Sequence, residues 1–116
     1  MPEPADRTAV VEEIRREVIR LHEESYGAGA TDLQVDVGEN YVLILIDIEV
    51  TPAERTLLDA GRDDAVKRSR EEFQKAIEPV FNAIIERATG RRVRSFLSTM
   101  STDPLWSAEV FRLEPH

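Results

Sequence analysis

The sequence predicts an α+β fold: a single-domain, two-layer sandwich in which an antiparallel four-stranded sheet carries helices packed on one face, in the order α-β-β-α-α-β-β. Three observations predict it. The first 26 residues place apolar side chains at helical spacing, two pairs of strand-like segments are each joined by a short turn, and a long charged stretch of helical pattern separates the pairs. A chain of 116 residues is near the commonest size of one domain and too short for two independent cores, so residues 1–116 read as one unit.

From about Asp6 to Tyr26, Val10, Val11, Ile14, Val18 and Leu21 recur every three or four residues. They make one apolar stripe, with Glu12, Glu13, Arg16, Glu17, Arg20 and Glu24 on the water side. Gly27 and Gly29 end that helix. Leu33, Val35 and Val37 then alternate with polar residues, Gly38-Glu39-Asn40 turns the chain, and Tyr41 to Val50 forms a second strand. An even-numbered loop joins these strands, because it sets Leu33, Val35 and Val37 on the face of Val42, Ile44, Ile46 and Ile48. Thr51-Pro52-Ala53-Glu54 carries a capping residue, a first-position proline and a capping-box glutamate, opening a helix to about Ala60. A longer helix follows from about Asp63 to Thr89-Gly90, carrying Val66, Phe73, Ile77, Val80, Phe81, Ile84 and Ala88, with Pro79 kinking or splitting it. Strands over about Arg92–Ser101 and Trp106–Leu113 close the chain around Thr102-Asp103-Pro104.

Composition narrows the function classes. With 41% hydrophobic residues the chain can build a core despite being one-third charged. No run approaches the roughly 20 apolar residues of a membrane span; the longest is Tyr41 to Ile46, so no transmembrane segment is expected. Met1-Pro2-Glu3-Pro4 is acidic and lacks an apolar signal core, which points to the cytoplasm. Zero cysteines exclude disulfides, thiolate catalysis and Cys-based zinc sites, and only His22 and His116 remain for imidazole ligation, so no metal or cofactor is expected. The net charge of −8 is unevenly spread: residues 1–60 hold 14 acids and 5 bases, residues 61–100 hold 6 and 9. The total disfavours nucleic acid as a partner, while the basic centre offers a docking surface.

Few residues stand out chemically. His22-Glu23-Glu24 is followed by Tyr26 where a helical zinc motif needs a second histidine, so His22 reads as a partly exposed ring packing near Tyr26. The loop bearing Gly27 and Gly29 follows a helix and precedes a strand, the reverse of a dinucleotide-binding turn, and reads as a helix end whose amides can still meet an anion. Arg87, Arg91, Arg92 and Arg94 form a basic cluster for an anion or an acidic partner. Asp47 and Glu49 share one side of the second strand and can meet a cation. Ser98, Thr99, Ser101 and Thr102 have no histidine base nearby and read as strand and turn residues. Tyr41, Leu43 and Leu45 make the outer side of the second strand apolar, although the helices cover the other side; such a face needs a partner.

Several segments together resemble a known family. They are Leu21-His22, Tyr26-Gly27-Ala28-Gly29-Ala30-Thr31, Val42-Leu43-Ile44-Leu45, Thr51-Pro52-Ala53-Glu54-Arg55-Thr56-Leu57 with Gly61-Arg62, Arg70 with Phe73, Thr89-Gly90-Arg91-Arg92-Val93 with Phe96-Leu97-Ser98, and Glu109-Val110-Phe111-Arg112-Leu113. Their order and spacing resemble the MpsC-like domain, a bacterial family of unknown function named for a component of a sodium-linked, membrane-potential-generating system. The resemblance runs from about residue 8 to 114, the expected ordered core. In the family the glycine loop commonly carries Arg and Pro where this chain has Ala28 and Ala30, so an anion contact through that Arg would be missing here. The resemblance implies a soluble one-domain protein with no catalytic or cofactor residues to transfer, and a contextual link to membrane energetics or transport.

The expected function is therefore that of a small non-enzymatic accessory or regulatory protein acting through protein–protein association. It forms a homodimer through Tyr41, Leu43 and Leu45, with a membrane transport subunit as a further partner. It is cytoplasmic, or peripheral to a membrane complex. The alternative is a ligand-binding regulatory domain, holding a small anion at the glycine loop with Arg91, Arg92 and Arg94, or a cation at Asp47 and Glu49. An enzyme is the third reading, for want of an activated nucleophile or paired base.

Overall fold

The computed structural model describes residues 4–27, 30–102 and 104–115. Its elements are α1 (Pro4–Tyr26), β1 (Ala30–Val37), β2 (Tyr41–Ile48), α2 (Pro52–Asp59), α3 (Asp63–Thr89), β3 (Val93–Thr102) and β4 (Leu105–Leu113). All strand pairs are antiparallel, and the sheet order is β1-β2-β4-β3. The two hairpins thus lie side by side, joined through β2 and β4, which are distant in sequence. The α+β sandwich and its element order are those expected.

The first hairpin has the even register. Val37 pairs with Val42, Val35 with Ile44 and Leu33 with Ile46, and the Gly38 amide donates to the Tyr41 carbonyl at 2.9 Å. The turn is tight: a Cβ on Gly38 would lie 2.0 Å from the exposed Tyr41 ring and push that ring aside. A register shift between Ala30 and Asp32 breaks the alternation at the start of β1.

The inward face of the sheet carries Leu33, Val42, Ile44, Ile46, Phe111 and Leu113, all buried against the helices. α1 lies over β1 and beside α3, and α3 lies over β3. Ile14, Val18 and Leu21 bury the α1 stripe. Under α3, Phe81, Phe96 and Phe111 form an aromatic cluster, with Phe96 stacked on Phe111 at 4.5 Å and Phe81 tilted against Phe111 at 5.0 Å.

The helices follow their local signals. Thr51 Oγ1 accepts from the Glu54 amide at 3.2 Å and Glu54 returns the bond to the Thr51 amide at 3.0 Å, so the capping box is complete. Gly90 ends α3 in the left-handed conformation, φ 70°. Pro79 leaves α3 as one helix over its whole length, and that helix lacks one amide donor, toward the Lys75 carbonyl. Of its apolar residues Phe73 and Val80 are exposed, whereas Arg70 and Ile85 are buried. The buried arc is centred on the Arg70–Phe81–Ile85 side, and Phe73 and Val80 sit at its edge.

Phe111 is the hinge of the aromatic cluster. Phe111→Ala is expected to lower stability by about 3–5 kcal/mol in urea unfolding, because the rings above and below it cannot collapse into the space.

Candidate functional site

Two features stand out on the fold: an uncovered sheet face and a polar pocket under α1 and α3. On the face turned away from the helices, Leu43 and Leu97 flank Val110 on β4, and Leu45 lies beside Ala108. Tyr41 and Arg112 pair at one end of this stripe, and Asp47 and Trp106 pair at the other. Leu97 is 71% exposed, and Tyr41 and Trp106 are 38% exposed. Tyr41, Leu43 and Leu45 thus share one continuous apolar face that also includes Leu97, Ala108, Val110 and Trp106. The Tyr41 hydroxyl donates to Asp36 Oδ2 at 3.0 Å, and that bond pushes its pKa up.

The arginines are placed differently from one another. The Arg91 guanidinium donates to the Glu39 carbonyl, to Asn40 Oδ1 at 2.7 Å and to the Glu114 carbonyl at 2.6 Å, so it braces the hairpin turn against the chain end. Arg87, in the last turn of α3, and Arg92 and Arg94, where β3 begins, are exposed. Gly27 closes α1 with φ 73° and donates to the Glu23 carbonyl at 3.0 Å; Gly29 lies outside the described residues. Asp47 and Glu49 are exposed, and β2 ends between them at Ile48.

The pocket encloses about 270 Å³ between α1, α3 and the inward face of β3 and β4. Its floor is built from charged and polar groups that the strand alternation forces inward. Leu105, Ser107, Glu109, Phe111 and Leu113 share one face of β4, so Glu109 must lie in the core, where it is 1% exposed. Gln74 Nε2 donates to Glu109 Oε2 at 3.1 Å, and the hydroxyls of Ser98 and Ser107 also donate to the carboxylate. Burial nevertheless pushes the Glu109 pKa up to about 7, against the pull of the two serines. Tyr26 donates from its hydroxyl to Gln74 Oε1 at 3.3 Å, linking α1 to the same network, and its own pKa is pushed up to about 12, chiefly by burial.

The buried cation beside this network is already paired. Arg70 donates to Glu54 from Nε at 2.5 Å and from Nη2 at 2.7 Å, and lies 4.2 Å over the Tyr26 ring. Burial raises the Glu54 pKa, but hydrogen bonds from Arg70 and the Thr51 amide together outweigh it and hold the carboxyl below its ordinary value. His22 is 3% exposed rather than partly exposed, with its ring 5.4 Å from Tyr26 and 6.3 Å from Phe81. Its Nδ1 lies 3.0 Å from the Val18 carbonyl, an acceptor only, so the proton of the neutral ring sits on Nδ1 and Nε2 keeps its lone pair. Burial lowers its pKa, so the ring stays neutral near pH 7.

Glu109 and Arg70 were missed as functional residues in the sequence reading. The signal for Glu109 is an acid at the inward position of an otherwise apolar alternation; none marks the pairing of Arg70 with Glu54, which depends on how α2 folds against α3.

Residues 6–115 match the family described as Na+-translocating membrane potential-generating system (MpsC). The match spans most of the 116 residues, and the chain belongs to that family. No curated protein and no solved structure is significantly similar to it.

Arg70→Ala would strand the Glu54 carboxylate and remove the guanidinium from over Tyr26. A loss of about 3–5 kcal/mol in denaturant unfolding is expected. Glu109 generates a pH dependence. Between 4.5 and about 7 the folded chain keeps a proton on Glu109 that the unfolded chain has released, so this group contributes stability that is lost as pH rises through about 7. His22 opposes it, contributing stability above 6.5 that is lost as pH falls. Comparison of Glu109→Gln with the parent isolates the carboxyl: the variant should gain about 3 kcal/mol relative to the parent between about pH 5 and about pH 8, measured by urea melts.

Proposed function

We propose that this MpsC-family chain is a non-enzymatic accessory or regulatory protein that works by association, forming a homodimer through the uncovered face of its sheet. The observation that carries the reading is the continuous apolar stripe of Leu43, Leu45, Leu97, Ala108 and Val110, flanked by Tyr41 and Trp106. A face of this kind is unfavourable in water and suits an isologous contact, where one patch meets its own copy. The charges at its ends favour a second copy as the occupant. Arg112 lies at one end and Asp47 at the other, so a two-fold axis lying between the faces and perpendicular to the strands brings Arg112 of one copy toward Asp47 of the other.

The absence of enzymatic activity is part of the same reading, because the polar groups of the pocket are bonded to one another rather than arrayed as nucleophile, base and orienting acid. The family description links the chain to a Na+-translocating membrane system. No helix among the described residues is long and apolar enough to cross a membrane, so a membrane transport subunit would serve as the anchoring partner of a cytoplasmic, peripheral protein. The exposed Arg87, Arg92 and Arg94 are the surface offered to that partner.

Light scattering at micromolar concentration tests the dimer: a mass of about 26 kDa is expected, twice the 13.2 kDa of the chain. Leu97→Asp, at the most exposed position of the stripe, should give a folded monomer, and Leu43→Asp should dissociate or unfold the protein. A monomeric parent overturns the dimer, and a Leu97→Asp variant that stays dimeric moves the contact off this face.

A further inference from the structure

We infer that the pocket beneath α1 and α3 is a binding site for a small organic cation, whose protonated amine pairs with the Glu109 carboxylate. Three features of the geometry carry this. The first is charge. Each buried group that could neutralise Glu109 from within the protein is committed elsewhere or uncharged: Arg70 forks onto Glu54, and His22 is a buried neutral ring with Nδ1 on the Val18 carbonyl. Among the exposed lining residues, all on α3, Lys67 and Lys75 are matched in number by Glu71 and Glu78, and Lys75 pairs with Glu72 at 3.8 Å. The floor therefore decides the sign of the ligand, and the floor carries one unpaired carboxylate.

The second feature is the hydrogen-bonding chemistry. Gln74, Ser98 and Ser107 turn their donors onto Glu109, which leaves lone pairs of the carboxylate and of the two hydroxyl oxygens for an incoming donor. An ammonium group has three donors and no acceptor, and matches that set. The third is size and lining. A volume of about 270 Å³ has room for roughly nine waters, far more than a bare metal ion needs. Ile48, Phe96 and Met100 line the pocket beside the polar floor and suit a short alkyl chain. The face of Tyr26 is covered by Arg70, so the aromatic ring is not available as a second cation site.

The raised pKa of Glu109 makes the binding proton-linked, because the ligand takes the place of the proton. The titratable and charged neighbours lining the pocket with it are His22 and Tyr26 from α1 and Arg70, Lys67, Glu71, Lys75 and Glu78 from α3; Ser98 and Ser107 of the sheet contribute hydroxyls that do not titrate.

Titration calorimetry with n-butylammonium chloride tests the site, with sodium butyrate and sodium chloride at equal ionic strength as controls. Butylammonium should bind one to one, with a Kd about tenfold weaker near pH 6 than near pH 8, since about a tenth of Glu109 is ionised one unit below a pKa of about 7. Binding near pH 6 should release a proton, read from the dependence of the heat on the buffer's ionisation enthalpy, a measurement that needs no variant. Glu109→Gln should lose at least tenfold in affinity with an unchanged circular dichroism spectrum, and Ser98→Ala, on the edge strand, should weaken binding a few-fold. Equal heat from sodium chloride, tighter binding of butyrate, wild-type affinity in Glu109→Gln, or no heat from butylammonium up to tens of millimolar would each overturn the inference.

Discussion

A single buried guanidinium organises the end of the molecule where all three helices meet the sheet. Arg70 sits on α3, forks onto Glu54 in the first turn of α2, donates to the Glu49 carbonyl at 3.4 Å just past β2, and covers the Tyr26 ring at the end of α1. Burying two charges is expensive, and the cost is offset here by the two-pronged pairing of the guanidinium with Glu54. Glu54 Oε1 serves twice, accepting from Arg70 and from the Thr51 amide, so the cap of α2 and the tertiary docking of α2 share one oxygen. Helix α2 buries no residue fully; this contact fixes its first turn against α3, and Leu57 and Leu58 pack partly buried on the core. The same pairing decides the electrostatics next door: with Arg70 committed to Glu54, Glu109 has only neutral donors, and its carboxyl titrates near neutrality.

The sheet shows the other side of this economy. Two long helices cover one face of four strands, and the outer face is only partly polar. On β1 the outward residues are Gln34 and Asp36, as a wet face requires, whereas on β2, β4 and β3 they include Leu43, Leu45, Val110 and Leu97. The change from polar to apolar occurs across the sheet, from the β1 edge toward the middle, so the apolar stripe is centred on β4. Strand order is what gathers these residues: β4 lies between β2 and β3, and unites side chains more than 50 positions apart.

Local patterns made much of this fold legible. Helical spacing located α1, the Thr51–Glu54 box located the start of α2, and the alternation of Leu33 to Val37 chose the hairpin register, because each rests on interactions within a few residues. Long-range placement was not legible in the same way. Tyr41, Leu43 and Leu45 could be assigned to an outer face from one strand, but Leu97 and Val110 joined them only through the β2–β4 pairing. His22 looked half-exposed on its own helix because the burial comes from Phe81 of α3. The pocket was hidden for the same reason: its members come from α1, α3, β3 and β4, and the only local sign was an acid in the inward phase of β4.

Arg91 has a consequence for how the molecule opens. It ties the β1–β2 turn to the last strand's exit, and two backbone bonds close the same corner: Leu113 to the Asn40 carbonyl and Glu114 to the Arg92 carbonyl, both 2.9 Å. Chain ends usually fray first, yet here residues near the C-terminus are held by partners up to 73 positions away, as in Leu113 to Asn40. The opposite end of the sheet is tied to the helices instead: Arg70 on α3 donates to the Glu49 carbonyl just past β2, and Arg15 on α1 donates to the Leu33 carbonyl of β1. Amides around Leu113 should therefore exchange with solvent as slowly as those of the core, the last strand leaving only when the whole sheet does.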